Sequence, residues 1–244
     1  MRAHLPRGLS PVFIGTILGL VLMSCSSVPT FRMADLPPSV QVEDRGQTLV
    51  VLPRSVPAKP VGLLFYPGGL VKPEAYLPAL VPLAEKGYPV LVVRMPFDLA
   101  FFDSEKGLGF TGSVPGVGRW VIAGHSLGGV AAAMAVDKHP EAFAGLVFWA
   151  SYPATGNDLS RRKLPVLSVS ATNDGLSTPA KVEAAAALLP ASTERVVILG
   201  GNHGQFGTYG PQKGDGVATI GREAQQALVA KATEGFLDRI VAAP

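Results

Sequence analysis

The chain has 244 residues, 48% hydrophobic and 16% charged, which suits one folded domain of about 200 residues with a real core and excludes a disordered, solvated module. Lysine and arginine total 21 against 18 acidic residues; setting aside Arg2 and Arg7, which lie in a leader, leaves 19 against 18, so charge gives no argument for nucleic-acid binding. Cys25 is the only cysteine, which excludes an intrachain disulfide.

Residues 1–24 read as a secretory signal peptide: Arg2 and Arg7 form a basic start, and residues 9–23 form an apolar core that is short for a spanning helix. Leu22-Met23-Ser24-Cys25 resembles a bacterial lipobox, which implies a lipidated Cys25 and an exported protein held on an envelope membrane through its lipid. The alternative is an ordinary signal peptide with a chance cysteine. Residues 25–46, with Leu36-Pro37-Pro38-Ser39 among them, read as an extended tether, and residues 47–244 as the folded domain.

Within that domain, short apolar runs predict strands over 48–52, 61–66, 90–94, 120–123, 145–150, 166–170 and 196–199. Helices are predicted over 73–86, 130–138, 178–189 and 222–241. Pro78 and Pro82 predict a kinked or late-starting first helix. Strands alternating with helices imply an α/β fold, a mostly parallel central sheet covered by helices on both faces. Strands buried on both sides read as continuous apolar runs. In such sheets chemistry gathers beyond the carboxyl ends of the strands.

Gly124-His125-Ser126-Leu127-Gly128 fits G-x-S-x-G between a predicted strand and a predicted helix, the context of a nucleophile elbow. A serine nucleophile needs a base and a group to orient that base. Asp174 and His203 each follow a predicted strand, in the order Ser, acid, His that this architecture uses. Asp158, in an earlier loop, is a rival acid; Asp215 follows His203 and breaks the order. For the oxyanion hole the expected donors are the N–H of Leu127 and, from the loop after 61–66, that of Gly69 first and Leu70 second. Phe97, Leu99, Phe101 and Phe102 crowd the loop after 90–94, either as a wall for an apolar substrate group or as simple packing. The connections over 95–118 and 151–164 are too short for a large helical lid. The histidines do not have metal-ligand spacing, and Gly214-Asp215-Gly216 lacks the length and lysine of a phosphate loop.

Phe65-Tyr66-Pro67-Gly68-Gly69, the elbow, Asn173-Asp174-Gly175 and Gly201-Asn202-His203-Gly204-Gln205-Phe206-Gly207 carry a resemblance. Over residues 61–237 the chain resembles the α/β-hydrolase superfamily, in particular its compact, dienelactone-hydrolase-like esterase group with minimal caps. The resemblance implies a Ser126–His203–Asp174 triad and acyl transfer without a cofactor. Dienelactone hydrolases carry Cys at the nucleophile position, so Ser126 points to general esterases and a small-molecule ester substrate. Two other readings are an envelope acyltransferase or thioesterase with the same triad, and a non-catalytic envelope lipoprotein using the fold as a scaffold. Nothing in the sequence reports the oligomeric state.

Overall fold

A computed structural model describes residues 28–243; the signal-peptide and Cys25 readings lie outside the described residues. Eight strands form one sheet: β1 (Val40–Asp44), β2 (Thr48–Pro53), β3 (Val61–Tyr66), β4 (Val90–Val93), β5 (Arg119–His125), β6 (Gly145–Trp149), β7 (Val166–Ala171) and β8 (Glu194–Ile198). Their order is β1-β2-β4-β3-β5-β6-β7-β8. The β1/β2 and β2/β4 pairs are antiparallel and the other five are parallel. All strands from β3 onwards therefore end at one edge of the sheet.

The central strands are buried along their whole length except at Arg119, the first residue of β5, and period-two alternation splits their side chains between two cores. Leu63 and Phe65 of β3, Val121 and Ala123 of β5, and Val147 and Trp149 of β6 face α1 (Leu77–Glu85) and α4 (Arg222–Ala242). Leu64, Ile122, Leu146 and Phe148 face α2 (Leu127–Lys138) on the opposite side. The buried face of α2 is largely glycine and alanine, so its axis lies close to the strands. Both faces are thus apolar, which is why the strands read as unbroken hydrophobic runs.

The first helix starts late, as its prolines predict. Pro73–Tyr76 forms a 3-10 turn and the α-helix begins at Leu77, with Pro78 in its first turn and Pro82 inside it. Pro82 removes one main-chain donor from a nine-residue helix. The helix expected over 178–189 is shorter: α3 spans Pro179–Ala184, capped by Thr178, and continues as 3-10 over Ala185–Leu188. None of its α-helical residues is buried, so no apolar stripe sustains further turns.

The tether expected over 25–46 needs correction. Residues 40–44 are strand β1, paired with β2 from Val40–Pro53 to Asp44–Leu49. Upstream, Thr30 N–H donates to the Thr208 carbonyl at 3.0 Å, and Phe31 and Leu36 pack against the core. Val40 alone of the five β1 residues is fully buried, so the hydrophobic signal of this edge strand is weak.

The connection over 95–118 holds three 3-10 segments that lie down on the sheet. Tyr66 Oη donates to the Ser104 carbonyl at 2.8 Å and accepts from Gly107 N–H at 3.0 Å. Trp120 Nε1–H donates to the Thr111 carbonyl. The cap is minimal. Among the described residues, no helix is long and apolar enough to cross a membrane.

Candidate active site

Strand β5 runs directly into α2 through Ser126. Ser126 has φ 53° and ψ −124°, a conformation that a non-glycine residue adopts only when its surroundings enforce it, at about 1–3 kcal/mol. Those surroundings are visible. Ser126 N–H donates to the Trp149 carbonyl at 3.1 Å, and the Ser126 carbonyl accepts from Gly129 and Val130 N–H and from Ser151 Oγ at 2.6 Å. The elbow also closes on bare backbone: a Cβ at Gly124 would overlap the Gly128 carbonyl, and one at Gly128 would overlap the Tyr66 carbonyl oxygen. The half-buried Ser126 side chain stands at the amino end of α2, where free N–H groups and the helix dipole favour negative charge.

Asp174 follows β7 and His203 follows β8; the two loops meet. His203 Nδ1 lies 2.8 Å from Asp174 Oδ2, and both residues are buried. Asp174 Oδ1 accepts from Leu176 N–H at 2.8 Å and from Ser177 N–H at 2.7 Å. The carboxylate is thus held as an acceptor, and the proton of this contact belongs on Nδ1 of the imidazole. That leaves Nε2 as the basic nitrogen, buried and without a hydrogen-bond partner. The ring centroid of His203 lies 4.5 Å from that of His125, the residue before Ser126, so the elbow and the His203 loop pack together.

The two oxyanion alternatives differ in what their amides already do. Leu70 has φ 57° and its N–H donates to the Asp98 carbonyl at 2.8 Å. That donor is spent, which corrects its place as second choice. Gly69 N–H has no such bond among the described residues, and Gly69 lies against the Leu127 side chain, as the contact of a Cβ built on it shows. Leu127 opens α2, so its N–H has no partner within the helix. Asp158 is exposed and bonds Ser160 N–H two residues on, far from the role of a buried acid. Among the described residues, no group of three or more His, Cys, Asp or Glu is placed to hold a metal ion.

Residues 62–227 match the alpha/beta hydrolase family model, about two thirds of the chain. The chain belongs to the alpha/beta hydrolase family. No curated protein sequence matches it significantly. Among solved structures, this alpha/beta hydrolase is similar to Est1E from Butyrivibrio proteoclasticus with ferulic acid bound, at 14% identity and TM-score 0.61, covering 84% of this chain and 98% of that one. It is also similar to MGS-MChE2, an alpha/beta hydrolase enzyme from the metagenome of lagoon sediments at Mar Chica, Morocco, at 17% identity and TM-score 0.57, covering 82% and 99%. A predicted CIB-like hydrolase from Thermoplasma acidophilum matches at 17% identity and TM-score 0.56, covering 80% and 98%. At these identities the likeness is one of fold.

Sequence reading sets Asp215 aside by chain order, yet this hydrolase uses it to tie the acid and histidine loops together. Its carboxylate accepts from the N–H groups of His203 (3.1 Å), Gly204 (2.8 Å), Gly175 (3.2 Å) and Gly216 (2.7 Å). The only sequence signal is its place between two glycines, which reads as a turn. From α4, buried Gln225 clamps Asn202 on both main-chain groups, at 3.0 and 2.8 Å. Gln226 donates to the Gln205 carbonyl and Thr208 Oγ1. Gln205 and Tyr209 likewise bind within the loop region, to the Ile220 carbonyl and Gln212. Phe97 and Phe102 are 81% and 56% exposed, with ring centroids 5.8 Å apart. They are not packed under their loop, whereas Leu99 is buried.

Proposed function

We propose that this chain is an exported serine hydrolase that cleaves carboxylic esters through Ser126, His203 and Asp174. The observation that carries the reading is the buried 2.8 Å His203–Asp174 contact with Nε2 left unpartnered, its ring packed on His125 next to the strained Ser126. In this reading His203 Nε2 takes the Ser126 proton as Oγ attacks the ester carbonyl. The tetrahedral oxyanion accepts from Leu127 and Gly69 N–H, which stabilise charge only as it develops. His203 then gives its proton to the leaving alcohol, and water repeats the sequence on the acyl-enzyme, with Asp174 holding the imidazole and stabilising its charged form.

Short to medium acyl chains fit the minimal cap. The exposed rings of Phe97 and Phe102 favour an apolar or aromatic group on one side of the scissile bond, so esters of aromatic acids belong in the test panel; Est1E, seen with ferulic acid bound, is a fold relative that binds one such acid. The deciding experiment is hydrolysis of p-nitrophenyl acetate and butyrate by Ser126→Ala. Turnover is expected to fall at least about 10³-fold with the fold intact; wild-type turnover in the folded variant would overturn the mechanism. A fluorophosphonate probe is expected to label the wild type and not the variant, which separates the enzyme from a scaffold. Transacylation products with added alcohols would favour the acyltransferase reading. Anchoring through Cys25 is checked by palmitate labelling of the full chain in a bacterial host, expected to vanish in Cys25→Ser.

A further inference from the structure

His125 is wholly buried, ionisable, and unused by the proposed triad. It occupies the free position of G-x-S-x-G, where the turn geometry asks for no particular side chain. Its Nδ1 lies 2.8 Å from Tyr76 Oη, and that hydroxyl accepts from Gly68 N–H at 2.9 Å. The phenol thus links Gly68 N–H to the imidazole through one oxygen, with the Tyr209 side chain as a further hydrogen-bonding neighbour of that oxygen. Nε2 itself is buried, on a ring that also has a hydrogen-bonding interaction with the His203 main chain.

The same ring is packed from several sides. It stacks on Phe206, with centroids 5.5 Å apart and planes 21° apart, and contacts the Tyr76 ring at 5.6 Å. Its centroid is 4.5 Å from that of His203. Space is tight on the loop side too: a Cβ at Gly68 would sit 2.8 Å from both His125 Nδ1 and Tyr76 Oη. Burial first, and the neighbouring His203 second, hold His125 well below the ordinary imidazole range, against an opposing interaction with the His203 backbone. It therefore stays neutral beside a base that must become cationic during turnover.

These contacts join three parts of the site that the chain supplies separately. Gly68 precedes Gly69, the proposed second oxyanion donor. His125 precedes Ser126. Phe206 and His203 share the loop after β8. We propose that Tyr76 and His125 are positioning residues, a buried brace from Gly68 N–H through the phenol to the imidazole that sets the oxyanion loop and the His203 ring against the elbow. The inference rests on the serine-hydrolase reading above. A brace of this kind acts on the transition state more than on substrate binding, because the oxyanion and the imidazolium exist only along the reaction path.

The test is steady-state kinetics on p-nitrophenyl butyrate with Tyr76→Phe, His125→Asn and His125→Phe, alongside melting temperatures. Tyr76→Phe keeps the ring and removes one oxygen. It is expected to lower kcat about 10- to 100-fold with KM within about two-fold, and to slow fluorophosphonate labelling in proportion. Asn carries an acceptor oxygen near the place of Nδ1, so His125→Asn is expected to retain most of the kcat that His125→Phe loses. Wild-type kcat in Tyr76→Phe overturns the brace, as does an equal loss in His125→Asn and His125→Phe. Should His125→Phe fail to fold, Tyr76→Phe decides alone. The two readings fail separately: a wild type that neither labels nor depends on Ser126 sinks the serine hydrolase. Ser126-dependent turnover with a fully active Tyr76→Phe sinks only the brace.

Discussion

Backbone strain at Ser126 is maintained by neighbours that leave no room for a side chain, and this makes the elbow glycines sharply intolerant. In Gly128→Ala the new methyl would meet the Tyr66 carbonyl oxygen, main chain of the adjacent central strand, which cannot swing aside as a flexible side chain would. The cost of such overpacking is about 1–3 kcal/mol or more. Gly128→Ala is expected to lower the melting temperature and to abolish probe labelling of Ser126; a variant that melts and labels like the wild type would show that the elbow has slack. Asp215 makes a complementary case. Asp215→Ala removes the shared acceptor of amides on the His203 and Asp174 loops. Water reaches this half-buried site and replaces part of what is lost, so a destabilisation of about 1–2 kcal/mol is expected. The larger effect should be on kcat, because the imidazole loses its fixed place while the acyl pocket is untouched. Denaturant titration and a kcat-against-KM comparison check both halves.

Elements buried on two faces were legible in the sequence, and elements at the margins were not. Strands β3 to β7 are fully or almost fully buried, so Val61–Tyr66 or Val166–Ala171 is written in residues that water never meets. β1 has one such residue, Val40, and prolines directly upstream, so it reads as tether. That Ser126, Asp174 and His203 each follow a strand was legible, because those strands are apolar runs. The work of Asp215, Gln225 and Tyr76 was not, since each acts through contacts between segments distant in sequence. For His125 the depth of burial is the hidden variable, and it has a thermodynamic consequence. The folded state keeps this imidazole neutral, with His203 and Tyr76 as its titratable neighbours, while the unfolded chain protonates it near pH 6.5. Below about that pH the unfolded state binds the extra proton, so stability falls as pH falls, by up to about 1.4 kcal/mol per unit from this group. Comparing wild type with His125→Asn between pH 7 and 5 by denaturant titration isolates the slope. The variant is expected to lose less stability on acidification, and parallel curves would refute the neutral, buried His125.

The whole molecule gathers Ser126, Asp174 and His203 at one edge of the sheet and covers that edge lightly. The connection over 95–118 is pinned to the sheet by Tyr66 and Trp120. Residues 150–165 hold no helix. A lid that opens at a lipid–water interface needs an element with two resting positions, and these segments are tied in one. Phe97 and Phe102 already stand in solvent, so apolar surface is available before any substrate arrives. Rate on a p-nitrophenyl ester series should therefore rise smoothly with concentration through the critical micelle concentration, and fall off with long acyl chains for want of a covered trough. Replacing both exposed rings, Phe97→Ser with Phe102→Ser, should leave the melting temperature within about 2 °C, as surface changes away from packing usually do. KM for medium-chain p-nitrophenyl esters and for esters of aromatic acids should rise several-fold, with p-nitrophenyl acetate little affected. A sharp rate increase at the micelle threshold would mean that a covering element moves after all. Equal effects on acetate and on aromatic-acid esters would mean that the two rings shape the site as a whole and do not form a wall for one side of the substrate.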